Sequence, residues 1–292
     1  MPTENTAPDR DGGESTALEQ ELLGRLETEI ANNRLVLPTL PEIALRVREL
    51  MAQPDCSATQ LARLISTDAA LAARLLKVAN SSSYRGHKAI DNIQTAITRL
   101  GLQLVRSLVT QLALLQSLHS GGAEAGRQLA TLSRHSMEIG AYSHAIALHY
   151  TRLNPEDALL AGLVHDIGKL PLLARLRTLA GGQPAIMENL LSRLHGQVGT
   201  MVLQAWHFAP DIVAVAAGHQ DVQRNPYGAP DYAEVVLLAH LLLQLDTGTQ
   251  TPWTPLAAQA PILRKLRITP PQMLADATLR RHTRTALERI SL

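Results

Sequence analysis

The chain has 292 residues, of which 46% are hydrophobic, so it can bury a substantial core in one or two domains. Its formal net charge of +1 and aromatic content of 3% argue against a nucleic-acid-binding protein, which uses basic patches or aromatic platforms. A single cysteine, Cys56, excludes an intramolecular disulfide bond and suits a reducing cytoplasm. The chain shows no signal-peptide pattern, and no apolar run reaches the roughly 20 residues that span a bilayer. We therefore expect a cytoplasmic protein that does not insert into membranes.

The first part of the chain is predicted to be helical after a polar tail. Residues 1–16 have almost no apolar side chains and are expected to be disordered. Apolar residues then recur at helical spacing, at Leu18, Leu22, Leu26 and Ile30. After a break at Pro38–Pro41, the segment Ser57–Gln60 matches a capping box and predicts the start of another helix. Asp68 is suited to cap the helix that follows.

The helical pattern continues through the middle of the chain. Asn80 is expected to be a helix-end or turn residue. A helix that opens at Ile93 is expected to end at Gly101, and Leu104–Leu118 forms a strongly apolar helix. The segment Ser120–Gly122 marks a linker.

Three later segments also carry the 3.6-residue periodicity of helices, at residues 129–149, 155–164 and 187–206. The period-2 alternation of strands is almost absent. The sequence therefore predicts an all-α protein with short loops.

The segment Leu163–Leu170 places His165 and Asp166 side by side among apolar residues. Burying an ionised carboxylate beside an imidazole is costly unless a partner compensates the charge, and a divalent cation is one such partner. Further histidines lie at wide intervals along the chain, at His135, His195, His219 and His240. The alternative is a purely structural role, in which His165 and Asp166 pair with each other and with a backbone group. The sequence leaves both alternatives open.

Two stretches of the chain resemble a known family. Thr67–Ser81, together with Leu37–Pro41 and Ile93–Gly101, resembles the first half of the HDOD domain, and the region from His135 to His240 resembles the HD superfamily core. HDOD domains are helical bacterial signalling modules related to the HD and HD-GYP phosphohydrolases. The resemblance covers residues 35–245. It implies an N-terminal helical subdomain (17–120) packed on an HD-like helical bundle (121–245), with a C-terminal helical extension (246–292).

The resemblance also implies a set of metal ligands. His135 falls at the first histidine, His165 and Asp166 are the namesake pair, and His240 replaces the closing aspartate of the enzymes. Two further candidates are His195, preceded by the acidic Glu188, and His219, whose usual histidine neighbour is replaced by Gln220. The Gly-Tyr-Pro signature of the HD-GYP enzymes is missing. These departures argue against a cyclic-dinucleotide phosphodiesterase.

The matched set contains one carboxylate, that of Asp166, and neutral imidazoles do not cancel the charge of two divalent ions. We therefore expect either no cofactor or a single Fe, Mn or Zn ion held by His135, His165, Asp166 and His240. If an ion binds and the protein is an enzyme, we expect Lys169 to be the contact for a substrate phosphate.

Our main hypothesis is a stand-alone HDOD regulatory protein that binds signalling proteins in trans and has no strong catalytic activity. The alternative is a metal-dependent HD-type phosphohydrolase or phosphodiesterase that acts on a nucleotide or another phosphodiester. A nucleotide ligand and a homodimer stay open, whereas nucleic acid and membranes are not expected as partners.

Overall fold

The computed structural model describes residues 11–32, 34–35, 42–80, 90–102, 104–106, 108–110, 123–179, 184–225, 227–249, 251 and 253–290. Within these ranges the regular secondary structure is helical and no strand occurs, which confirms the all-α prediction. The helices of the N-terminal part are α1 (Asp11–Ala31), α2 (Glu42–Met51), α3 (Ala58–Ile65), α4 (Ala69–Ala79) and α5 (Ile93–Leu100). Residues 104–106 and 108–110 are also helical.

The helices of the second part follow in chain order. They are α6 (Ala123–Tyr150), α7 (Pro155–Val164), α8 (Lys169–Leu179), α9 (Pro184–Ala205), α10 (Pro210–Gly218) and α11 (Tyr232–Asp246). The C-terminal part contains α12 (Thr254–Ala257), α13 (Pro261–Leu266), α14 (Pro270–Ala275) and α15 (Ala277–Ile290). No helix among the described residues is long and apolar enough to cross a membrane.

Helices α2–α5 enclose a core of their own, which we call the N-terminal core. Its buried side chains include Val47, Leu61, Ile65, Leu71, Leu75, Val78, Ile97 and Leu108. The predicted capping box at Ser57 is present, because the Gln60 amide donates to Ser57 Oγ and Gln60 Oε1 accepts from the Ser57 amide. Asp68 caps α4 by accepting from the Leu71 amide at 2.9 Å, as predicted. Gly101 ends α5 with a positive φ of 80°, a conformation that favours glycine.

A second and larger core, the HD core, lies among α6–α11. Helix α6 crosses its middle and contacts α7, α11 and α15, while α9 contacts α8 and α10. Helices α6 and α7 approach closely at two glycines, because a Cβ atom on Gly162 would lie 2.5 Å from the Gly140 Cα. The turn that carries the His165–Asp166 pair follows directly after this crossing.

The position of α1 differs from the predicted grouping of residues 17–120 into one subdomain. Its apolar stripe, Leu22, Leu26 and Ile30, is buried in the HD core, and α1 contacts α9. Arg175 on α8 also donates to Glu29 at 2.9 Å. An amphipathic stripe predicts that a helix is buried but does not select between two cores. The predicted boundary at residues 120 and 121 lies outside the described residues, and the boundary at 245 stays a prediction.

Helix α1 also begins earlier than predicted, at Asp11, so residues 11–16 of the predicted disordered tail are helical. Extending an existing helix adds one hydrogen bond for each residue fixed. Residues 1–10 of that tail, the Pro38–Pro41 break, residues 111–118 of the apolar helix and the Ser120–Gly122 linker lie outside the described residues.

Candidate metal centre

His165 and Asp166 lie in the turn between α7 and α8, where their side chains are 0% and 1% exposed. His165 Nδ1 lies 2.6 Å from the Gly162 carbonyl oxygen. Because a carbonyl oxygen can only accept, Nδ1 carries the proton, and a neutral His165 presents a lone pair on Nε2. The turn fits against α9 only because residue 168 is glycine, since a Cβ atom there would lie 2.0 Å from the His195 carbonyl oxygen.

His195 on α9 and His219 at the end of α10 are oriented in the same way. His195 Nδ1 donates to the Leu191 carbonyl at 2.8 Å, and His219 Nδ1 donates to the Val215 carbonyl at 3.0 Å. A backbone carbonyl that fixes one ring nitrogen leaves the other available as a ligand, as is common for metal-binding histidines. Three imidazoles from three elements therefore direct their Nε2 atoms towards Asp166.

The Asp166 carboxylate lies at the centre of these rings. Its Oδ2 lies 3.1 Å from His165 Nε2, and its Oδ1 lies 3.6 Å from His195 Nε2 and 3.9 Å from His219 Nε2. The two longer distances exceed a hydrogen bond but suit two ligands of one ion, each about 2 Å from it. The Lys169 ammonium donates to Asp166 Oδ2 at 2.6 Å.

His135 on α6 and His240 on α11 complete the cluster. The His240 ring lies 4.7 Å from that of His165 and 5.0 Å from that of His135, measured between centroids. Two groups have ligand atoms that all lie within 4.8 Å of one another: His135, His165 and His240, and His165, Asp166 and His219. The structure thus brings the six sequence candidates for metal binding into one cluster, which we call the histidine cluster.

Two residues singled out by the resemblance lie outside the histidine cluster. Glu188 is exposed on α9, seven residues and thus about two turns before His195. Gln220 is exposed after α10, and its backbone carbonyl accepts from the Trp253 indole at 3.3 Å. Neither position therefore supplies a second carboxylate or imidazole to the cluster.

Unpartnered polar atoms test whether a metal ion fits. In the described part of the chain, eight buried side-chain nitrogen or oxygen atoms have no hydrogen-bond partner, and five belong to the histidine cluster. They are Nε2 of His165, His195, His219 and His240, and Oδ1 of Asp166. Pairing of His165 with Asp166 Oδ2 and the Gly162 carbonyl would use both nitrogens of the His165 ring, but it leaves Oδ1 of Asp166 and Nε2 of the other three histidines unexplained. A cation shared among them would satisfy them together.

Burial disfavours the protonated form of four imidazoles of the cluster, those of His135, His195, His219 and His240. It lowers the pKa of His135 to about 4 and that of His219 to about 3, and it also lowers the pKa of His195 and His240. Burial alone would raise the pKa of Asp166, but the Lys169 ammonium, which donates to Oδ2 at 2.6 Å, acts to hold it well below its ordinary value. The cluster therefore offers one carboxylate and several neutral imidazoles, a donor set that suits Zn, Fe, Ni or Cu.

The two ligand groups share His165 Nε2, which has one lone pair. One ion can use that nitrogen at a time, so His165 can serve the His135–His240 side or the His219 side. With a single carboxylate available, the residues fit one divalent ion better than two.

A cavity of about 480 Å³ lies beside the cluster, between α9 and α10. His195 and His219 form part of its wall, and its other polar lining residues are Ser192, Arg193, Gln197, Thr200 and Gln220. Of these residues, the sequence pattern singled out Gln220 alone, and only as a departure from the family. Ser192, Gly196 and Thr200 are spaced four apart, so a helical projection through His195 would have placed them on one face.

Trp253 was also missed. Its ring centroid lies 6.3 Å from that of His240, in an edge contact that forms a wall of the cluster. No local pattern predicts this contact, because the C-terminal segment meets α11 only through tertiary packing.

Comparisons with known proteins agree with this architecture. The HDOD domain profile matches residues 37–222. A Shewanella amazonensis protein, provisionally assigned as a metal-dependent phosphohydrolase, is 29% identical, with a TM-score of 0.79 over 94% of this chain and 99% of that one. An HDOD domain protein of unknown function from Geobacter sulfurreducens is 22% identical, with a TM-score of 0.63 over 96% and 99% of the two chains, which shows a shared fold. An uncharacterized protein of Treponema pallidum is 24% identical over 78% of this chain. The chain spans only 46% of the length of that protein.

Proposed function

The chain belongs to the HDOD domain family, and we propose that its HD core holds one divalent transition-metal ion in a phosphohydrolase-type centre. One observation carries the proposal: five buried polar atoms of the histidine cluster converge without partners. The cavity beside His195 and His219 gives a substrate access to the same cluster. The Shewanella amazonensis protein, with its provisional assignment, supports the same chemistry.

The residues of the cluster have distinct roles in this proposal. His165 and Asp166 hold the ion together with His219, whereas His135 and His240 form the alternative group with His165 alone, and backbone carbonyls fix the rings of His165 and His219. When bound, such an ion supplies Lewis-acid assistance at a phosphoryl group. Lys169 holds Asp166 Oδ2 in place, so its sequence-based role as the phosphate contact would require it to leave this carboxylate.

Metal-dependent turnover tests the proposal. Purified protein loaded with Zn, Mn or Fe is expected to hydrolyse p-nitrophenyl phosphate, and Asp166→Ala is expected to abolish this turnover while circular dichroism shows that the fold persists. Glu188→Ala is the matched control, because it removes an exposed carboxylate from the surface of α9, outside the histidine cluster. Equal turnover in the Asp166→Ala variant would rule the site out.

A regulatory role is the second candidate, and the N-terminal core favours it. Both ligand groups lie in the other part of the molecule, so α2–α5 contribute no chemistry that the described residues reveal. We propose that this part contacts signalling proteins in the bacterial cytoplasm, a compartment that suits the single cysteine. Stoichiometric metal without turnover on any phosphate ester would favour this role, whereas robust turnover would favour the enzyme.

A further inference from the structure

We infer that the cavity between α9 and α10 binds the phosphate group of a small phosphomonoester that has no aromatic base. The inference deepens the proposed function and rests on it, because the phosphate would lie against the histidine cluster. It argues against a nucleotide as the ligand, an alternative that the sequence leaves open.

The position of the cavity is the first argument. His195 and His219 line it, and their side chains are 4% and 1% exposed. Their Nε2 atoms have no hydrogen-bond partner, although both rings are held by backbone carbonyls on the other side. Because a neutral Nε2 and a phosphate oxygen are both acceptors, these nitrogens would hold the phosphate through a cation bound between them, and their orientation is already fixed for that contact.

The charge of the lining is the second argument. Arg193 brings a positive charge to the lining, although it also takes part in another polar or electrostatic interaction, and the described lining includes no aspartate or glutamate. Ser192, Gln197 and Gln220 add a hydroxyl and two amides, which can donate to the oxygens of an anion. A guanidinium together with neutral donors is a combination that recognises phosphate.

The size and the shape of the cavity are the third argument. Its volume of about 480 Å³ lies at the lower end of the range for small-molecule sites. The described lining contains no phenylalanine, tyrosine or tryptophan ring on which a base could stack. A nucleobase would therefore gain little in this cavity, and a phosphorylated small polyol is the better match.

Titration of the full chain with three probes tests the inference: inorganic phosphate, glycerol 3-phosphate and AMP. Calorimetry and 31P line broadening report binding, and the metal content of each sample is measured in parallel. We expect glycerol 3-phosphate to bind, and we expect AMP to bind no more than about threefold tighter than glycerol 3-phosphate. Arg193→Gln is expected to weaken binding by about tenfold, because it removes a charged donor. Arg280→Gln, which removes an exposed charge from α15, is expected to leave binding unchanged.

Each result has a separate meaning. AMP that binds more than about threefold tighter than glycerol 3-phosphate, or an Arg193→Gln variant that binds like the parent, would overturn the inference. Metal-loaded protein that binds no phosphate probe would also overturn it and would leave the metal centre intact. Phosphate binding that depends on Arg193 in protein that takes up no metal would sustain the cavity assignment and would contradict the proposed metal centre instead.

Discussion

Asn80 in the N-terminal core and His165 in the HD core are both polar side chains at the end of a helix, but their hydrogen bonding differs. The Asn80 amide donates to the Leu76 and Ile90 carbonyls at 3.0 and 2.7 Å, and its oxygen accepts from the Ile90 amide at 2.7 Å. His165 Nδ1 donates to the Gly162 carbonyl, whereas Nε2 faces Asp166 Oδ2 and has no hydrogen-bond partner. The first group is complete without a ligand, and the second is not.

The same contrast holds across the two regions. Ser57, Asp68 and Asn92 bond helix amides in the N-terminal core, and none of the unpartnered buried atoms of the described chain lies there. Five of the eight such atoms in the described chain belong instead to the histidine cluster in the HD core. Because an unpartnered buried polar group costs about 1–3 kcal/mol, a convergent set of them indicates a ligand rather than architecture.

The largest effect on the free energy of unfolding is expected for Gly168→Ala. The added methyl group would lie 2.0 Å from the His195 carbonyl oxygen and 2.4 Å from the Gly199 amide nitrogen. Backbone atoms cannot move aside as a flexible side chain can, so we expect a loss of about 3 kcal/mol or more. Urea unfolding measures it. Gly24→Ala on α1, where nothing lies within 4 Å of the new methyl group, is the control, and equal losses in the two variants would refute the close approach.

A smaller loss is expected for Asn80→Ala, which would leave the Ile90 amide and carbonyl without their partner. We predict a decrease in the free energy of unfolding of about 1–3 kcal/mol, with no change in metal content. Urea unfolding and elemental analysis of the same sample check the two halves of this prediction. A change in metal content would contradict the claim that the N-terminal core does not affect the metal site in the HD core.

The Tyr150–Asp276 hydrogen bond joins α6 to the C-terminal helices. It is expected to contribute about 1 kcal/mol or less to the free energy of unfolding. The Tyr150 hydroxyl donates to Asp276 Oδ2 at 2.5 Å, and this bond lowers the pKa of Asp276. A lowered carboxyl pKa stabilises the fold above the unfolded value near about 4, and this contribution is lost as the pH falls. The difference in urea midpoint between the parent and Tyr150→Phe should therefore be larger at pH 7 than at pH 3. A difference that grows on acidification would contradict this assignment.

The smallest change in the metal-free protein is expected for His219→Leu, although its side chain is almost fully buried. Removing a buried nitrogen that has no partner offsets the loss of the bond to Val215, so the free energy of unfolding should stay within about 1 kcal/mol. With metal at about a hundred times its dissociation constant, the parent should gain about 2.7 kcal/mol, and the variant should gain less. A large destabilisation of the metal-free variant would make His219 structural.

Local chemistry explains which parts of the fold the sequence predicts. The capping box at Ser57 and helix α7, which runs from Pro155 to Val164 as predicted, depend on residues within one turn of the helix end. The core to which α1 packs could not be predicted, because its apolar stripe suits either core.

The site divides in the same way. The ring orientations of His195 and His219 follow from a helix that offers a carbonyl four residues earlier, so they are predictable once the helices are known. The convergence of His135, His165 and His240 depends on the packing of α6, α7 and α11, and only the family resemblance indicated it. Trp253 carried no signal at all in the sequence.

The most direct test of the account is the number of metal ions per chain in protein purified without chelators or metal-affinity tags. We predict about one Fe, Mn or Zn ion per chain in the parent and in Glu188→Ala, and none in Asp166→Ala. A parent protein that contains no metal, and takes none up when Zn, Mn or Fe is added, would contradict it. The histidine cluster would then be a structural set of imidazoles.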